Sequence, residues 1–318
     1  MSPSVKPFRF AAAVQGIYDG PTLAEMARRA EAGGWTSIAI ADHLIPQLSP
    51  VPAMTAITAA TTTLRVTSYV FNNDLHHPAV LAQDLASIDV LSGGRLDVAI
   101  GAGWNQPEYD AVGIAFDPQP VRLARLREAV AVLKGCFADG PFSFPGEHYR
   151  ITDYDAEPKP IQRPHPPLMI GGGGRGTLAF AAREADIVGL APRMLGGGRG
   201  SDPGSFTYAA TAEKIGWVRE AAGDRFDDLI LDIYPSGWPS VVTDDPRAEA
   251  ARLAEHLAGR TEVDLTVDDL LDAPQVWIGT VDSLVEKLQR VRAELGISSF
   301  MLGDLDEFAP VVARLAGT

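Results

Sequence analysis

The sequence predicts a (β/α)8 barrel, an α/β fold in which eight parallel strands alternate with helices. Short apolar runs alternate along the chain with longer segments of helical spacing. Several runs are almost continuously apolar, as parallel strands covered on both faces require, and 318 residues are enough for one such barrel. An open doubly wound sheet is the alternative. The eight predicted strands span 8–14, 37–43, 65–71, 96–103, 167–173, 186–192, 229–235 and 298–304.

Start and stop signals mark the predicted helices. The segment 21–33 opens with Pro21 and closes with Gly33, and the segment 77–91 stops at Ser92-Gly93-Gly94. Leu, Val and Ala recur at helical spacing in the remaining segments. These further helices are predicted over 120–137, 175–185, 207–222, 245–258, 281–295 and 306–316.

Two regions exceed a minimal barrel unit. Residues 141–167, rich in Pro and aromatics, predict a hairpin or extended excursion before the fifth strand. Residues 236–280 predict an insertion after the seventh strand with at least one helix. Long excursions on a barrel often serve as lids, and Phe142, Tyr149 and Trp238 suggest an apolar lining for a substrate pocket. The chain 1–318 is predicted to be a single domain.

Composition excludes several classes of function. The chain is 46% hydrophobic and 21% charged, which is typical of a soluble globular protein, and a net charge of −14 without a basic tract argues against nucleic acid and membrane partners. No apolar run is long enough for a membrane span or a secretory leader, so we expect a cytoplasmic protein. The one cysteine, Cys136, lies in an apolar helical stretch, and no Cys/His spacing predicts a metal site.

A run of glycines follows the fifth predicted strand. In a (β/α)8 barrel the chemistry lies where strands end, at their carboxyl ends. Gly171–Gly174 stand between that strand and a helix, so backbone N–H groups and the helix N-terminus could bind a phosphate. Arg175 could pair with the same anion. A flexible turn is the alternative, and the absence of a following Lys-Ser/Thr excludes a P-loop.

His43 ends the second predicted strand and can exchange a proton near neutral pH. The preceding Asp42 could fix the tautomer of its ring, although a purely structural role is the alternative. His76 and His77 precede Pro78 at a helix start, where we expect them to cap or to pack.

The fourth predicted strand ends in a glycine turn, Gly101-Ala102-Gly103, followed by Trp104 and Asn105. Position 106 is Gln, so the turn is not a dinucleotide-binding fingerprint. Trp104 could stack on a planar ring, and Asn105 could orient the edge of that ring. Glu108, one turn further on, could belong to the same site, or it could simply cap the following helix.

Two long motifs resemble the luciferase-like monooxygenase superfamily. They are DVLSGGRLDVAIGAGWNQPEYDAVGIAFD over 89–117 and RPHPPLMIGGGGRGTLAFAAREADIVGL over 163–190. Residues 37–44, 72–89 and 276–302 also match, so the resemblance covers nearly the whole chain. It implies a barrel with an insertion after strand seven, a flavin or deazaflavin at the carboxyl ends of the strands, and commonly a homodimer.

The superfamily has two relevant branches. One binds FMN, supplied reduced by a partner reductase, and activates O2. The other binds the deazaflavin coenzyme F-420, in which carbon replaces N5, and transfers hydride only. Asp42-His43 resembles the Asp-His pair of the second branch, which implies that His43 is the acid/base group. Residues 67–74 resemble its strand-three bulge, which implies a non-proline cis peptide within Ser68–Val70 that backs the ring.

The resemblance therefore implies an oxidoreductase that transfers hydride between coenzyme F-420 and a small organic substrate. A two-component FMN monooxygenase is the alternative. Tyr109 supports this alternative, because FMN-binding members can have a tyrosine near this position that contacts the phosphate of FMN. Sugar-phosphate-oxidising members carry an acid where this chain has Trp104; Glu108 could substitute. The implied catalytic residues are His43 and Glu108. The implied cofactor-binding residues are Asp42, Ser68, Tyr69, Val70, Asn72, Gly101, Gly103, Trp104, Asn105, Tyr109, Gly171, Gly172, Gly173, Gly174 and Arg175.

Overall fold

The chain forms the predicted α/β barrel in a computed structural model, which describes residues 6–195, 200–235, 240–258 and 264–318. Trp238 lies outside these described residues. The strands are β1 (Arg9–Ala13), β2 (Ser37–Ile40), β3 (Arg65–Ser68), β4 (Phe71–Asn72), β5 (Leu96–Gly101), β6 (Phe142–Pro145), β7 (Arg150–Tyr154), β8 (Leu168–Gly172), β9 (Ile187–Leu190), β10 (Ile230–Ile233), β11 (Ser240–Val242), β12 (Trp277–Gly279) and β13 (Ile297–Gly303).

Helices follow most of the strands. They are α1 (Gly20–Ala32), α2 (Pro50–Ala60), α3 (Pro78–Ser92), α4 (Gln106–Val112), α5 (Gln119–Phe137), α6 (Arg175–Glu184), α7 (Tyr208–Ala222), α8 (Pro246–Leu257), α9 (Val267–Asp272), α10 (Val281–Leu295) and α11 (Leu305–Leu315). Short 3-10 turns cover Asn73–Leu75, Pro203–Phe206 and Gly223–Asp228. Within the described ranges, none of the helices is long and apolar enough to span a membrane.

The sequence patterns do not predict α2. Its first residues, Pro50-Val51-Pro52, resemble a loop, yet proline suits the first helical turn because its missing N–H would have no intrahelical partner. Most other predicted elements are confirmed to within a few residues. The expected capping at a helix start is seen at His77, the residue before α3. Its side chain accepts a hydrogen bond from the backbone N–H of Ala79.

The main sheet is a closed parallel barrel surrounded by helices. Its strands pair in the order β3, β2, β1, β13, β10, β9, β8, β5 and β4, and β3 also pairs with β5, which closes it. The predicted barrel, and not the open sheet, is therefore confirmed. β3 and β4 are two halves of one barrel strand, because both pair in parallel with β5.

A bulge separates β3 from β4, as the strand-three motif implies. Four steps along the chain from Thr67 to Phe71 face only three from Asp97 to Ile100, so one extra residue lies in this strand. The peptide bond between Tyr69 and Val70 is cis. The prediction of a non-proline cis bond within Ser68–Val70 is confirmed.

By its internal contacts the chain divides into two compact units. The first comprises Met1–Ala13, Ala32–Ser37 and Ile170–Thr318. Within it, the predicted insertion after β10 contains the parallel pair β11–β12 and helices α8 and α9. These helices contribute to an apolar cluster that includes Leu253, Leu257, Leu270, Val276 and Ile278, together with Phe206 from outside the insertion. The insertion is therefore a packed structure where it is described.

The second unit comprises Val14–Glu31 and Ile38–Met169. The predicted excursion is an antiparallel hairpin, β6–β7, in which Phe142 faces Tyr154. Cys136 is buried on α5, as its apolar surroundings predict. This unit also contains the ends of β2, β4 and β5, where the sequence places most of its candidate site residues.

Candidate active site

His43 and Glu108 form the central pair of the second unit. His43 lies three residues beyond the end of β2, and Glu108 lies in the first turn of α4, just beyond β5. The Nδ1 atom of His43 is 2.9 Å from Oε1 of Glu108 and 3.1 Å from its Oε2. The carboxylate is only 6% exposed, and the helix N-terminus next to it favours a negative charge. Both residues predicted as catalytic are thus in direct contact.

Three donors hold the Glu108 carboxylate. Besides His43, the backbone N–H of Leu44 donates to Oε2 at 3.3 Å, and the side-chain amide of Asn105 donates to Oε1. The carboxylate is an acceptor, so it selects the tautomer in which His43 carries its hydrogen on Nδ1. Asn105, predicted to orient a cofactor ring, instead has its amide on Glu108.

This pairing leaves Nε2, the other ring nitrogen of His43, available to exchange a proton. Within the described residues, Nε2 of His43 has no hydrogen-bond partner, and the ring is half-buried. In the neutral ring that nitrogen accepts a proton, and in the imidazolium it donates one, while the buried carboxylate stabilises the positive ring. The pair has the geometry of an acid/base group held by its orienting partner.

Asp42 does not orient His43, and that expectation is wrong. Its Oδ2 atom lies 2.7 Å from Nε2 of His76 and accepts the backbone N–H of Asn72 at 2.9 Å. Asp42 is buried, with its carboxylate on His76 and Asn72 and not on His43. It joins the end of β2 to β4, and it gives His76 a partner that no sequence signal indicates.

Tyr109 is a fully buried packing residue. Its hydroxyl lies 2.9 Å from Oδ1 of Asn72 and 3.2 Å from Oδ2 of Asp74. Burial, followed by the charge of Asp74, raises the pKa of Tyr109 well above its usual range. With its ring enclosed, Tyr109 presents no exposed surface to a phosphate, and Asn72 is equally occupied.

Packing within the protein accounts for both glycines at the end of β5. A Cβ on Gly101 would lie 2.8 Å from Cγ2 of Val70, and one on Gly103 would lie 1.9 Å from the Tyr109 hydroxyl. Gly103 also has φ of +75°, which side chains disfavour. The buried guanidinium of Arg122 donates to the carbonyls of Ala102 and Gly103. The turn that carries Trp104 is therefore fixed on several sides.

Trp104 is the exposed aromatic of this region, with 42% of its surface accessible. Its ring stands edge-on to His43, with centroids 5.6 Å apart and planes at 82°. An exposed face next to the proton-carrying residue is consistent with the predicted contact to a planar ring or a substrate.

The bulge residues divide into buried and half-buried groups. Ser68 is buried, and its hydroxyl donates to the carbonyl of Ala99 at 2.6 Å. Tyr69 and Val70, on the two sides of the cis bond, are half-buried, and the N–H of Tyr69 donates to the carbonyl of Ile40 at 2.9 Å. Ser68 fixes the bulge, and only its two neighbours have surface for a ligand.

The glycine turn between β8 and α6 belongs to the first unit. A Cβ on Gly173 would lie 2.2 Å from the carbonyl oxygen of Pro192, and one on Gly172 would lie 2.5 Å from Cγ2 of Thr177. Gly174 has open space around it and begins α6 without a side-chain cap. The free N–H groups of the first turn of α6 therefore suit an anion.

Arg175 follows that turn at the start of α6. Its side chain is largely exposed and forms an ion pair of 2.8 Å with Glu220 of α7. An exposed pair of this kind contributes little to stability and separates easily. The predicted pairing of Arg175 with a phosphate thus stays a prediction.

Several supporting residues escape the sequence patterns. Arg125 donates to Asp74 at 2.8 Å and also contacts Asp117, and Gln47 donates to the carbonyl of Ala41 at 2.6 Å. Arg125 and Asp74 lie 51 residues apart in the chain, and the other two contacts involve loop residues, so no local motif points to them. Across the residues that the structure describes, no group of three or more His, Cys, Asp or Glu could hold a metal ion.

The family model described as luciferase-like monooxygenase matches residues 6–299. The chain belongs to this family. That assignment agrees with both sequence motifs, which lie inside the matched range. The members of this luciferase-like family that resemble the chain differ in the cofactor that their names give.

An FMNH2-dependent dimethylsulfone monooxygenase of Pseudomonas putida is 38% identical over 131 residues, which are 41% of this chain and 36% of that protein. The chain thus matches only about a third of that relative. An F-420-dependent glucose-6-phosphate dehydrogenase of Nakamurella multipartita is 31% identical over 279 residues, which are 84% of this chain and 78% of that protein.

Solved structures of low identity show the same fold. An F-420-dependent secondary alcohol dehydrogenase in complex with an F-420-acetone adduct superposes with a TM-score of 0.74 at 21% identity, over 98% of each chain. An EDTA monooxygenase from Chelativorans sp. gives a TM-score of 0.75 at 16% identity, over 98% of this chain and 94% of the other.

Proposed function

We propose that this luciferase-like protein transfers hydride between coenzyme F-420 and a small organic substrate. The observation that carries the proposal is the His43–Glu108 pair, in which Nδ1 of His43 contacts a buried carboxylate and Nε2 has no partner among the described residues. Hydride transfer to or from an alcohol carbon requires a group that takes or returns the hydroxyl proton, and this pair has that construction.

The described residues fit a deazaflavin in two places, each taken by itself. Around His43, the half-buried Tyr69 and Val70 offer surface to a flat ring. In the first unit, the uncapped N-terminus of α6 after Gly174 fits a phosphate. When bound, the deazaflavin supplies a carbon that accepts or gives hydride.

The chain itself handles the proton. In alcohol oxidation His43 takes the hydroxyl proton on Nε2 as the carbonyl forms, and Glu108 stabilises the resulting imidazolium through Nδ1. In the reverse direction the imidazolium returns that proton to the carbonyl oxygen. Burial of Glu108 strengthens this interaction, because little water screens it.

A two-component FMN monooxygenase is the second candidate. The 38% identity to an FMNH2-dependent relative favours it. The burial of Tyr109 weakens it, since this residue was the expected phosphate contact of FMN members. The F-420-dependent relative from Nakamurella multipartita is similar over a far larger share of the chain, which supports the deazaflavin. The homodimer and a partner reductase remain predictions.

Two assays on the purified protein separate these functions. The absorbance of coenzyme F-420 is followed without oxygen while neutral alcohols or ketones are added; in parallel, O2 uptake is followed with FMNH2 and the same compounds. We expect substrate-dependent reduction or oxidation of coenzyme F-420 and no substrate-dependent O2 uptake. Substrate-dependent O2 uptake with an inert deazaflavin would establish the monooxygenase instead.

A further inference from the structure

Three segments near His43 lack charged side chains, although the ring itself contacts the carboxylate of Glu108. The three segments 14–18, 44–49 and 102–107, here called the charge-free rim, contain no Asp, Glu, Lys or Arg, although 21% of the chain is charged. Each segment begins just beyond a barrel strand, after β1, β2 and β5 respectively. A molecule that touches the rim therefore meets no ionised side chain of these segments.

Hydrogen bonds join the first two segments directly, and they join the third through Glu108, the residue that follows it. The N–H of Leu48 donates to the carbonyl of Gly16 at 3.1 Å, and the N–H of Leu44 donates to Glu108 at 3.3 Å. The ring of Trp104 stands against that of His43. The three segments of the rim thus lie beside His43 and its partner Glu108.

Apolar side chains of the rim face outward. Ile17 is 72% exposed, Leu44 52%, Ile45 49% and Trp104 42%. Gln47 keeps Leu44 and Ile45 in this position, because its amide donates back to the carbonyls of Ala41 and His43. Large apolar side chains gathered in one patch usually mark a surface that a ligand or partner covers.

Among the described residues, three charged side chains that contact or flank the rim already have partners. Arg122 is buried, with its guanidinium on the carbonyls of Ala102, Gly103 and Asp117. Glu108 is buried against His43, and Asp19 caps the start of α1 through the N–H of Thr22. An anionic substrate would therefore bring an uncompensated charge onto this surface, at a substantial cost in binding.

We infer that the rim is the substrate-binding surface and that the substrate is an uncharged alcohol or carbonyl compound with a hydrocarbon body. This inference rests on the proposed function for the redox step alone. In alcohol oxidation the C–H electron pair leaves as hydride to oxidised coenzyme F-420, the hydroxyl proton goes to Nε2 of His43, and the C=O bond forms. Trp104, Leu44 and Ile45 then contact the hydrocarbon part of the substrate.

Matched pairs of neutral and charged compounds test the substrate class. A series of neutral ketones from acetone to cyclohexanone, with the corresponding alcohols, is compared with carboxylated counterparts such as oxocyclohexanecarboxylate. Calorimetry measures binding to the purified protein, and kcat/KM is measured with coenzyme F-420. We expect at least one neutral ketone to bind about a hundredfold more tightly than its carboxylated counterpart. Equal or tighter binding of the charged compounds, or binding of neither class, overturns the inference.

Variants locate the binding surface. Trp104→Ala and Leu44→Ala should each weaken binding of the preferred ketone, Trp104→Ala by about tenfold, with a larger change in KM than in kcat. Leu91→Ala is the matched control, because Leu91 is an exposed leucine on α3, outside the rim, and it should leave both values unchanged. Equal binding by the Trp104 variant and the unsubstituted protein overturns the assignment.

Two further readouts keep the explanations apart. Fluorescence of coenzyme F-420 in the same samples reports cofactor binding. If the coenzyme does not bind, the proposed function is contradicted. The calorimetric comparison of ketones still decides the substrate class in that case. Size-exclusion chromatography of Leu44→Asp reports the oligomeric state. If this variant dissociates a dimer and leaves ketone binding unchanged, the rim is an interface between copies of the chain, and the inference is wrong.

Discussion

Glu108 reaches back across the turn at the end of β5 to place a carboxylate oxygen 2.9 Å from Nδ1 of His43. The two residues are 65 positions apart in the chain. The contact turns two separate sequence features, a histidine at one strand end and an acid at another, into one acid/base unit.

Glu108→Gln should lower kcat about a hundredfold while coenzyme binding changes little. The neutral amide no longer fixes the tautomer of His43 or stabilises its imidazolium, and loss of such an orienting partner typically costs this much. Steady-state kinetics and a fluorescence titration measure the two effects. His43→Ala should be at least as damaging, and full turnover by either variant would remove the pair from the mechanism.

Asp42 and His76 should stabilise the fold as a coupled pair. Asp42→Asn weakens a buried hydrogen bond of 2.7 Å and should cost about 1–3 kcal/mol of unfolding free energy. A double-mutant cycle with His76→Ala, measured by chemical denaturation, should show a coupling energy above about 0.5 kcal/mol. Additive effects would show that the contact is energetically neutral.

Gly103→Ala should destabilise the protein by about 2–4 kcal/mol, because a Cβ at φ of +75° would also overlap the Tyr109 hydroxyl. Gly216→Ala is the matched control. Gly216 lies inside α7 with open space around it. Its substitution by Ala should therefore raise the free energy of unfolding by about 0.5–1 kcal/mol. Thermal and chemical denaturation measure both variants, and equal stability of the Gly103 variant and the unsubstituted protein would contradict the packing described for the turn.

Glu31 should make stability depend on acid pH. Its Oε1 accepts the backbone N–H groups of Thr62, Thr63 and Leu64 at 2.5–3.0 Å. The bond from Thr63, ahead of the others, lowers the pKa of Glu31 to about 2 from the ordinary 4.5. The folded pKa is depressed, so the ionised carboxylate stabilises the fold above pH 4.5, and this contribution is lost as the pH falls through 2.

Glu31→Gln should therefore be less stable than the unsubstituted protein at pH 7, by about 1 kcal/mol after allowance for partial solvent exposure. The difference should shrink as the pH falls through the window from 4.5 to 2. Urea denaturation of both proteins at several pH values measures it. A difference independent of pH in this window would contradict the assigned role of the carboxylate.

Local patterns were enough to predict the barrel, because buried strands and amphipathic helices carry their signal in a few consecutive residues. The bulge at Tyr69–Val70 followed from a family motif. The partner of His43 could not be assigned in the same way. Asp42 is adjacent in sequence, but its carboxylate contacts His76, while Glu108 reaches His43 only through the turn at Gly103. Contacts of this kind depend on tertiary packing that a single sequence does not display.

The preference of this chain for the deazaflavin is tested most directly by equilibrium titration. The purified protein is titrated with oxidised coenzyme F-420 and, separately, with FMN. Fluorescence and absorbance changes give both dissociation constants under the same conditions. We expect saturable binding of coenzyme F-420 at least tenfold tighter than that of FMN, a difference of about 1.4 kcal/mol or more. Tight binding of FMN with no response to coenzyme F-420 would contradict this preference.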